Sequence, residues 1–91
     1  MITLEEAKLH LRVDNDDEDA LIQLYIEASF DRVTKFIGRV ITGEIPASIK
    51  AAALLYIGDL YENREAKIDQ KFVKNEAAEA LLMPYRAGMG I

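Results

Sequence analysis

The densest group of side chains capable of chemistry is a run of acids near residue 15. Five carboxylates fall within six positions, at Asp14, Asp16, Asp17, Glu18 and Asp19. Alternating carboxylates bind the ion in calcium loops. The run fails the other requirements of such a loop, because Asp19 stands where glycine is needed and Tyr25 where a bidentate Glu is needed. We therefore predict no metal site, but a solvated turn that caps a helix or an acidic patch that faces another surface.

The remaining polar residues do not make a catalytic set. His10 is the only histidine and the sequence has no cysteine, which excludes a transition-metal set and a thiolate nucleophile. Ser29 and Ser48 are the only serines, and neither stands in the glycine-flanked turn that presents a nucleophilic serine. There is also no glycine-rich phosphate-binding loop. The sequence therefore predicts a protein that is not an enzyme and binds no cofactor.

Length and charge restrict the function further. The chain has 91 residues, 51% of them hydrophobic, which predicts a single globular domain over 1–91. Sixteen acids outnumber eleven bases, for a net charge of −5. The acidic run accounts for this whole excess, since eleven acids remain outside it against eleven bases. The chain therefore lacks the cationic surface of a protein dedicated to gripping nucleic acid.

No segment has the properties of a membrane span or an export signal. The longest uninterrupted apolar run covers 51–57, far short of the roughly 18 residues of a membrane span. An export signal begins with basic residues followed by apolar ones, whereas the first residues of this chain include two acids and no base. With no cysteine present, we expect a protein of the reducing cytoplasm that does not contact a membrane.

Capping residues predict the first two helices. Thr3 and the glutamate three residues later form a capping-box pattern ahead of a short helix over 4–11. One face of this first helix carries Leu4, Ala7, Lys8 and Leu11. A second helix is predicted to begin at residue 16 or 17, with acids in its first turn, and to end at Ile37 because a glycine follows.

Two further helices are predicted in the second half. Pro46 fits the first position of a third helix that frays near 62–65 and is apolar around nearly its whole circumference, which predicts burial. A short fourth helix is predicted from about Asn75 to the residue before Pro84. We therefore predict an all-α bundle of about four helices, two long and two short, with a flexible loop at 66–75 and a flexible tail from Pro84.

The chain carries more apolar surface than its size can bury. A domain of this length buries only about 60–65% of its surface, yet the third helix is apolar all round and the second on two sides. Another chain is expected to cover part of this surface. Self-association is the simplest form, either as a symmetric dimer or head to tail as a ring.

Short motifs along the chain resemble those of the small head-tail connector proteins of long-tailed bacteriophages. The motifs are LHLRVD at 9–14, FIGR at 36–39, PASIK at 46–50, LYENRE at 60–65 and ALLMPYR at 80–86. Together they span nearly the whole chain. The resemblance implies an all-α structural protein that forms a ring under the portal, extends the DNA channel and offers a platform for tail attachment. The chain departs from the pattern at 66–75, where we would expect a loop containing Gly or Pro.

Roles for several residues follow if the resemblance holds. A subunit interface is expected at Tyr25, Phe30, Tyr61, Glu62, Arg64, Glu65, Tyr85 and Arg86. Arg64 would either close its own helix end through a neighbouring glutamate or bridge to an acid of the next subunit. The acidic run would line the channel or form a surface patch, so that duplex DNA passes without sequence-specific binding.

The resemblance also implies partners and a location. The partners would be the portal protein and tail-completion proteins, and the protein would reside in the virion neck after assembly in the bacterial cytoplasm. The sequence leaves a second function open: a small acidic cytoplasmic regulatory or inhibitor protein whose acidic patch binds a basic partner.

Overall fold

The structure is a computed structural model that describes residues 2–41, 43–62 and 75–86. These residues form helices α1 (Leu4–Leu11), α2 (Asp19–Ile37), α3 (Ala47–Glu62) and α4 (Glu76–Leu82), followed by a 3-10 turn over Met83–Tyr85. No strand occurs in these three ranges. The predicted all-α bundle of two long and two short helices is confirmed.

The predicted capping box of α1 is present in full. The Thr3 amide donates to Glu6 Oε1 at 2.9 Å, and the Glu6 amide donates to Thr3 Oγ1 at 3.1 Å. The opposite end of α1 stops at Arg12, whose φ of 62° is left-handed. There the Val13 amide donates to the Lys8 carbonyl at 2.9 Å, and the Arg12 amide to the Leu9 carbonyl at 3.2 Å. Both termini of α1 are thus closed by local hydrogen bonds.

Helix α2 begins later than predicted. It starts at Asp19 rather than at residue 16 or 17, because the Asp17 amide donates to the side chain of Asn15 at 3.0 Å. Such a side-chain turn competes with the first helical hydrogen bonds. The predicted end is confirmed, since α2 stops at Ile37 and Gly38 follows with a φ of 80°.

The second half of the chain also departs from prediction at two prolines. Pro46 lies just before α3 rather than at its first position, and its carbonyl accepts from the Lys50 amide at 3.0 Å. Pro84 lies within the 3-10 turn instead of beginning a flexible tail, and the adjacent Tyr85 packs against the core. Residues 66–74, predicted to be a loop, and 87–91 of the predicted tail lie outside the described residues.

Helix α3 is the centre of the bundle. It contacts α1, α2 and α4, and no residue from Ser48 to Tyr61 is exposed. The buried apolar residues of the core are Ile2, Ala7, Ile22, Ile26, Val33, Ile37, Ile49, Ala52, Ala53, Tyr56, Ile57, Ala78 and Leu82. Burying an isoleucine contributes about 1.5–3 kcal/mol, so this core is the main source of stability.

Gly58 in the middle of α3 offers a test of this packing. A Cβ placed there would lie 3.5 Å from His10 Nε2, which is an ordinary contact. We expect Gly58→Ala to raise the free energy of unfolding by about 0.5–1 kcal/mol, because alanine loses less backbone entropy in a helix. Urea denaturation followed by circular dichroism measures the change.

Gly43 is the matched control for this prediction. It has open space around its Cα, but its φ of 74° is left-handed. Gly43→Ala should therefore destabilise by about 1–2 kcal/mol through backbone strain alone. If Gly58→Ala destabilises as much as Gly43→Ala does, α1 lies closer to α3 than the structure places it.

Candidate functional site

The acidic run forms an exposed turn between α1 and α2. Its backbone is closed by the Asn15 side chain and by a hydrogen bond from the Asp19 amide to the Asp16 carbonyl at 3.4 Å. Asp14, Asp16 and Asp17 are exposed, whereas Asp19 is partly buried. We call residues 14–19 the acidic turn.

Lys8 of α1 neutralises part of the acidic turn. Its Nζ lies 2.8 Å from Asp16 Oδ1 and 2.7 Å from Asp19 Oδ1, and its side chain is only 15% exposed. Hydrogen bonds to these carboxylates, that to Asp16 above all, raise the pKa of Lys8. The same ammonium group lowers the pKa of Asp16 below its ordinary value. Lys8 therefore fixes the turn against α1, although the sequence showed it only as a charged residue on the inner face of that helix.

Glu18 connects the acidic turn to α3. Its Oε1 accepts a hydrogen bond from the Tyr61 hydroxyl at 2.6 Å, and the pair is partly buried. This contact joins residues 43 positions apart. The acidic turn is therefore held from two directions, by α1 and by α3, while Asp14 and Asp17 are exposed.

His10 and Ser29, the other polar candidates, lie in different environments in the bundle. Within residues 2–41, 43–62 and 75–86, no three His, Asp or Glu side chains are placed to hold a metal ion. His10 is exposed on α1. Ser29 is fully buried in the core, and its Oγ has no hydrogen-bond partner among the residues that the structure describes. The Ser29 hydroxyl is therefore not presented to a substrate.

The residues predicted to form a subunit interface do not gather in one place. Tyr61 and Glu62 lie beside the acidic turn, whereas Tyr85 and Arg86 follow α4 near the opposite end of α2. Tyr25 and Phe30 of α2 are half-buried and pack against the core. Arg64 and Glu65 lie outside the described residues. These residues thus fall at two separate surfaces, and their role as an interface stays a prediction.

Two contacts between arginines and aromatic rings were not predicted from the sequence. Arg32 stacks over the Tyr56 ring, with its Cζ 4.1 Å from the ring centre, and Arg86 lies 5.0 Å from the centre of Phe36. Burial is the main cause that raises the pKa of Tyr56. No local signal in the sequence paired these rings with the arginines that stack on them.

Comparison with known proteins identifies the family of this chain. The family model described as phage gp6-like head-tail connector protein matches residues 1–86. The chain belongs to this family of head-tail connector proteins. It is 32% identical to the head completion protein gp6 of Enterobacteria phage HK97 over 93 residues, covering 99% of this chain and 86% of that protein.

The fold of this connector protein agrees with the sequence match. The crystal structure of bacteriophage HK97 gp6 superimposes with a TM-score of 0.78 at 33% identity, covering 93% of this chain and 92% of that one. The resemblance predicted from the short motifs is therefore confirmed. None of the described helices is both long and apolar enough to cross a membrane.

The connector protein should lose stability in acid because of its ion pairs. The pKa values of Glu6 and Asp16 are lowered from their ordinary 4.5 and 3.8, Glu6 mainly by the Thr3 amide and then by Lys50, and Asp16 by Lys8. A carboxyl group whose pKa is lower in the folded state than in the unfolded state stabilises the fold at pH values above its unfolded-state pKa. This contribution is lost as the pH falls through the folded-state pKa. The free energy of unfolding should therefore fall as the pH drops below about 4.5.

Lys8→Met tests how much the acidic turn contributes to the pH dependence of the free energy of unfolding. Without the ammonium group, the pKa of Asp16 should return toward its ordinary value, and the loss of stability in acid should become shallower. Urea denaturation from pH 7 to pH 3 and NMR titration of the Asp16 carboxylate measure both effects. An Asp16 pKa that is the same in Lys8→Met as in the unaltered protein would show that Lys8 does not hold this acid.

The Tyr61 hydroxyl offers a separate test of the contact with Glu18. Tyr61→Phe removes one partly buried hydrogen bond to a carboxylate, and we expect a loss of about 1–2 kcal/mol in the free energy of unfolding. Tyr85→Phe is the control, because its hydroxyl takes no part in the contact with Glu18, and should change stability by less than about 0.5 kcal/mol. Equal losses in the two variants would contradict the assigned contact.

Proposed function

We propose that this connector protein assembles as a ring under the portal, joins the phage head to the tail, and lines the channel through which DNA passes. The observation that carries the proposal is its similarity, over nearly its whole length, to the HK97 head completion protein gp6. Completing a head requires contacts with the portal on one side and with tail components on the other. The proposal places the protein in the virion neck, after assembly in the bacterial cytoplasm.

Exposed apolar side chains support self-association. Leu9 is 82% exposed, Val40 78% and Leu24 58%, although the bundle has a well-formed core. Single exposed leucines are common on monomers, but several such residues within the described part of the chain suit a subunit that buries surface against its own copies. A ring of identical subunits uses the same two surfaces at every contact, so each residue is repeated around it.

The charge of the chain supports the passage of DNA. A net charge of −5 does not produce the counterion-release attraction that holds basic proteins on duplex DNA. A ring built from such subunits would let a duplex slide without adhering, provided that its cations are engaged elsewhere. Examples of such engagements are Lys8, which binds two acids, Lys50, whose Nζ lies 2.9 Å from Glu6 Oε2, and Arg32, which stacks on Tyr56.

A binding and assembly experiment tests the proposal. Purified protein should form a high-order ring, alone or on addition of portal protein, as measured by sedimentation velocity and electron microscopy.

Phage particles made without the chain should contain filled heads that lack tails, and supplying the wild-type chain should restore tail joining. Gly58→Ala, a folded variant altered inside the bundle, is the control and should restore it equally.

The alternative function predicts a different result. A regulatory or inhibitor protein would remain a monomer with and without portal, and would bind a basic cytoplasmic protein through its acidic turn. Phage particles made without it would then carry normal tails. That combination would overturn the adaptor proposal.

A further inference from the structure

An open groove lies between α2, α3 and α4. Its volume is about 460 Å³, and its apolar floor consists of Ala28, Phe36 and Tyr56. We call this surface the α2 groove. Tyr56 is only 1% exposed and Phe36 is partly buried, so the bundle itself holds these two rings of the floor in place.

The charged side chains at the rim of the α2 groove balance one another. Two acids and two bases line it, and Asp31 and Lys35 already form an ion pair at 3.1 Å. Arg32 stacks over the Tyr56 ring, with its Cζ 4.1 Å from the ring centre, and Glu79 is the second acid. A balanced rim attracts neither an acidic nor a basic partner through net charge. The groove therefore suits a segment that is apolar and uncharged.

The chain leads to the α2 groove at residue 86. The Arg86 guanidinium lies 5.0 Å from the centre of the Phe36 ring, which belongs to the floor. Residues 87–91, which follow, lie outside the described residues. They carry no charge, and their two large side chains, Met89 and Ile91, are apolar. Arg86 thus brings an uncharged apolar segment to the edge of a groove of matching character.

Residues 87–91 are also long enough to cross the α2 groove. Its floor extends along α2 from Ala28 to Phe36, which is about 12 Å of helix. Five extended residues span about 17 Å. The longer stretch outside the described residues, 63–74, has six charged side chains and does not match the groove.

We propose that residues 87–91 bind in the α2 groove of their own chain, with Met89 against Phe36 and Tyr56 and with Ile91 near Ala28. The flexible thioether of methionine packs well against aromatic rings. The groove of each subunit is then occupied by its own chain, so that a partner protein gains this surface only by displacing residues 87–91. This inference does not depend on the ring of the proposed function.

Introduced cysteines test the contact directly, because the wild-type chain has none. Ala28→Cys combined with Ile91→Cys should form a disulfide within one chain in a glutathione redox buffer. Docking holds the two thiols together, so their effective concentration should be about tenfold higher than that of a freely tethered pair. Thiol titration and non-reducing electrophoresis measure the fraction of monomer that carries the bond.

Glu27→Cys combined with Ile91→Cys is the matched control. Glu27 is exposed and adjacent to Ala28, but it does not line the groove. A freely tethered segment would reach both positions alike, whereas a docked segment reaches position 28. Equal disulfide fractions in the two pairs would overturn the proposal.

Met89→Ser tests the apolar contact in the chain that carries Ala28→Cys and Ile91→Cys. Removing the methionine side chain should lower the effective concentration of the thiols about tenfold, because the floor loses a large apolar partner. Ala87→Ser introduces the same hydroxyl where the side chain is small, and it should change this concentration by less than about twofold. An effective concentration that is the same with and without Met89 would contradict the assigned contact.

NMR of the chain without cysteines gives an independent measurement. With isotopically labelled methionine methyl groups, the Met89 signal should lie upfield of a free methionine because of the ring currents of Phe36 and Tyr56. Phe36→Leu should reduce this displacement. A Met89 signal at the position of a free methionine would show that the groove does not hold it.

The outcomes separate this inference from the proposed function. Covalent dimers or longer oligomers from the pair at positions 28 and 91 would mean that residues 87–91 bind a neighbour's groove, and the proposal would be wrong. A bond between positions 28 and 91 within a chain that forms no ring, with or without portal, would support this inference and overturn the proposed function. Rings whose subunits do not form this bond would do the reverse.

Discussion

The fold depends on covering α3, a helix with no exposed residue from Ser48 to Tyr61. An apolar helix of this kind is stable in water only when neighbours surround it. The other helices are therefore arranged around it, and polar contacts at its rim fix their positions. Lys50 binds Glu6 of α1, and Tyr61 binds Glu18 ahead of α2. Asp59 accepts a hydrogen bond from the side-chain amide of Asn75. The Asn75 side chain also caps α4, because its Oδ1 accepts from the Ala78 amide at 2.9 Å.

Local signals explain what the sequence could predict. The capping box at Thr3 and the glycine after Ile37 involve neighbours in the chain, and the apolar run of α3 requires burial whatever covers it. The start of α2 was wrong by two or three residues, because the side chain of Asn15 competes with helix formation in a way that composition does not reveal. The candidate surfaces were harder to predict, since Arg32 contacts Tyr56 only after α2 and α3 have packed together.

The acidity of the chain has a structural meaning that a net charge conceals. All of the excess lies in the acidic turn, yet Lys8 and Tyr61 engage three of its five acids. The turn is therefore both a structural joint between helices and a charged surface. This double use is consistent with a connector protein of 91 residues, in which few side chains can be reserved for contacts alone.

The way in which Lys8 and Tyr61 hold the acidic turn bears on the thermodynamics of association. Flexible loops lose conformational entropy when they dock, and this loss weakens binding. Here the Asn15 side chain, the ammonium group and the phenol hydroxyl order the turn within the isolated subunit. The ordering cost belongs to folding rather than to assembly. In the ring that we propose, the acidic turn would meet a neighbouring surface as a preorganised piece, without a separate folding step.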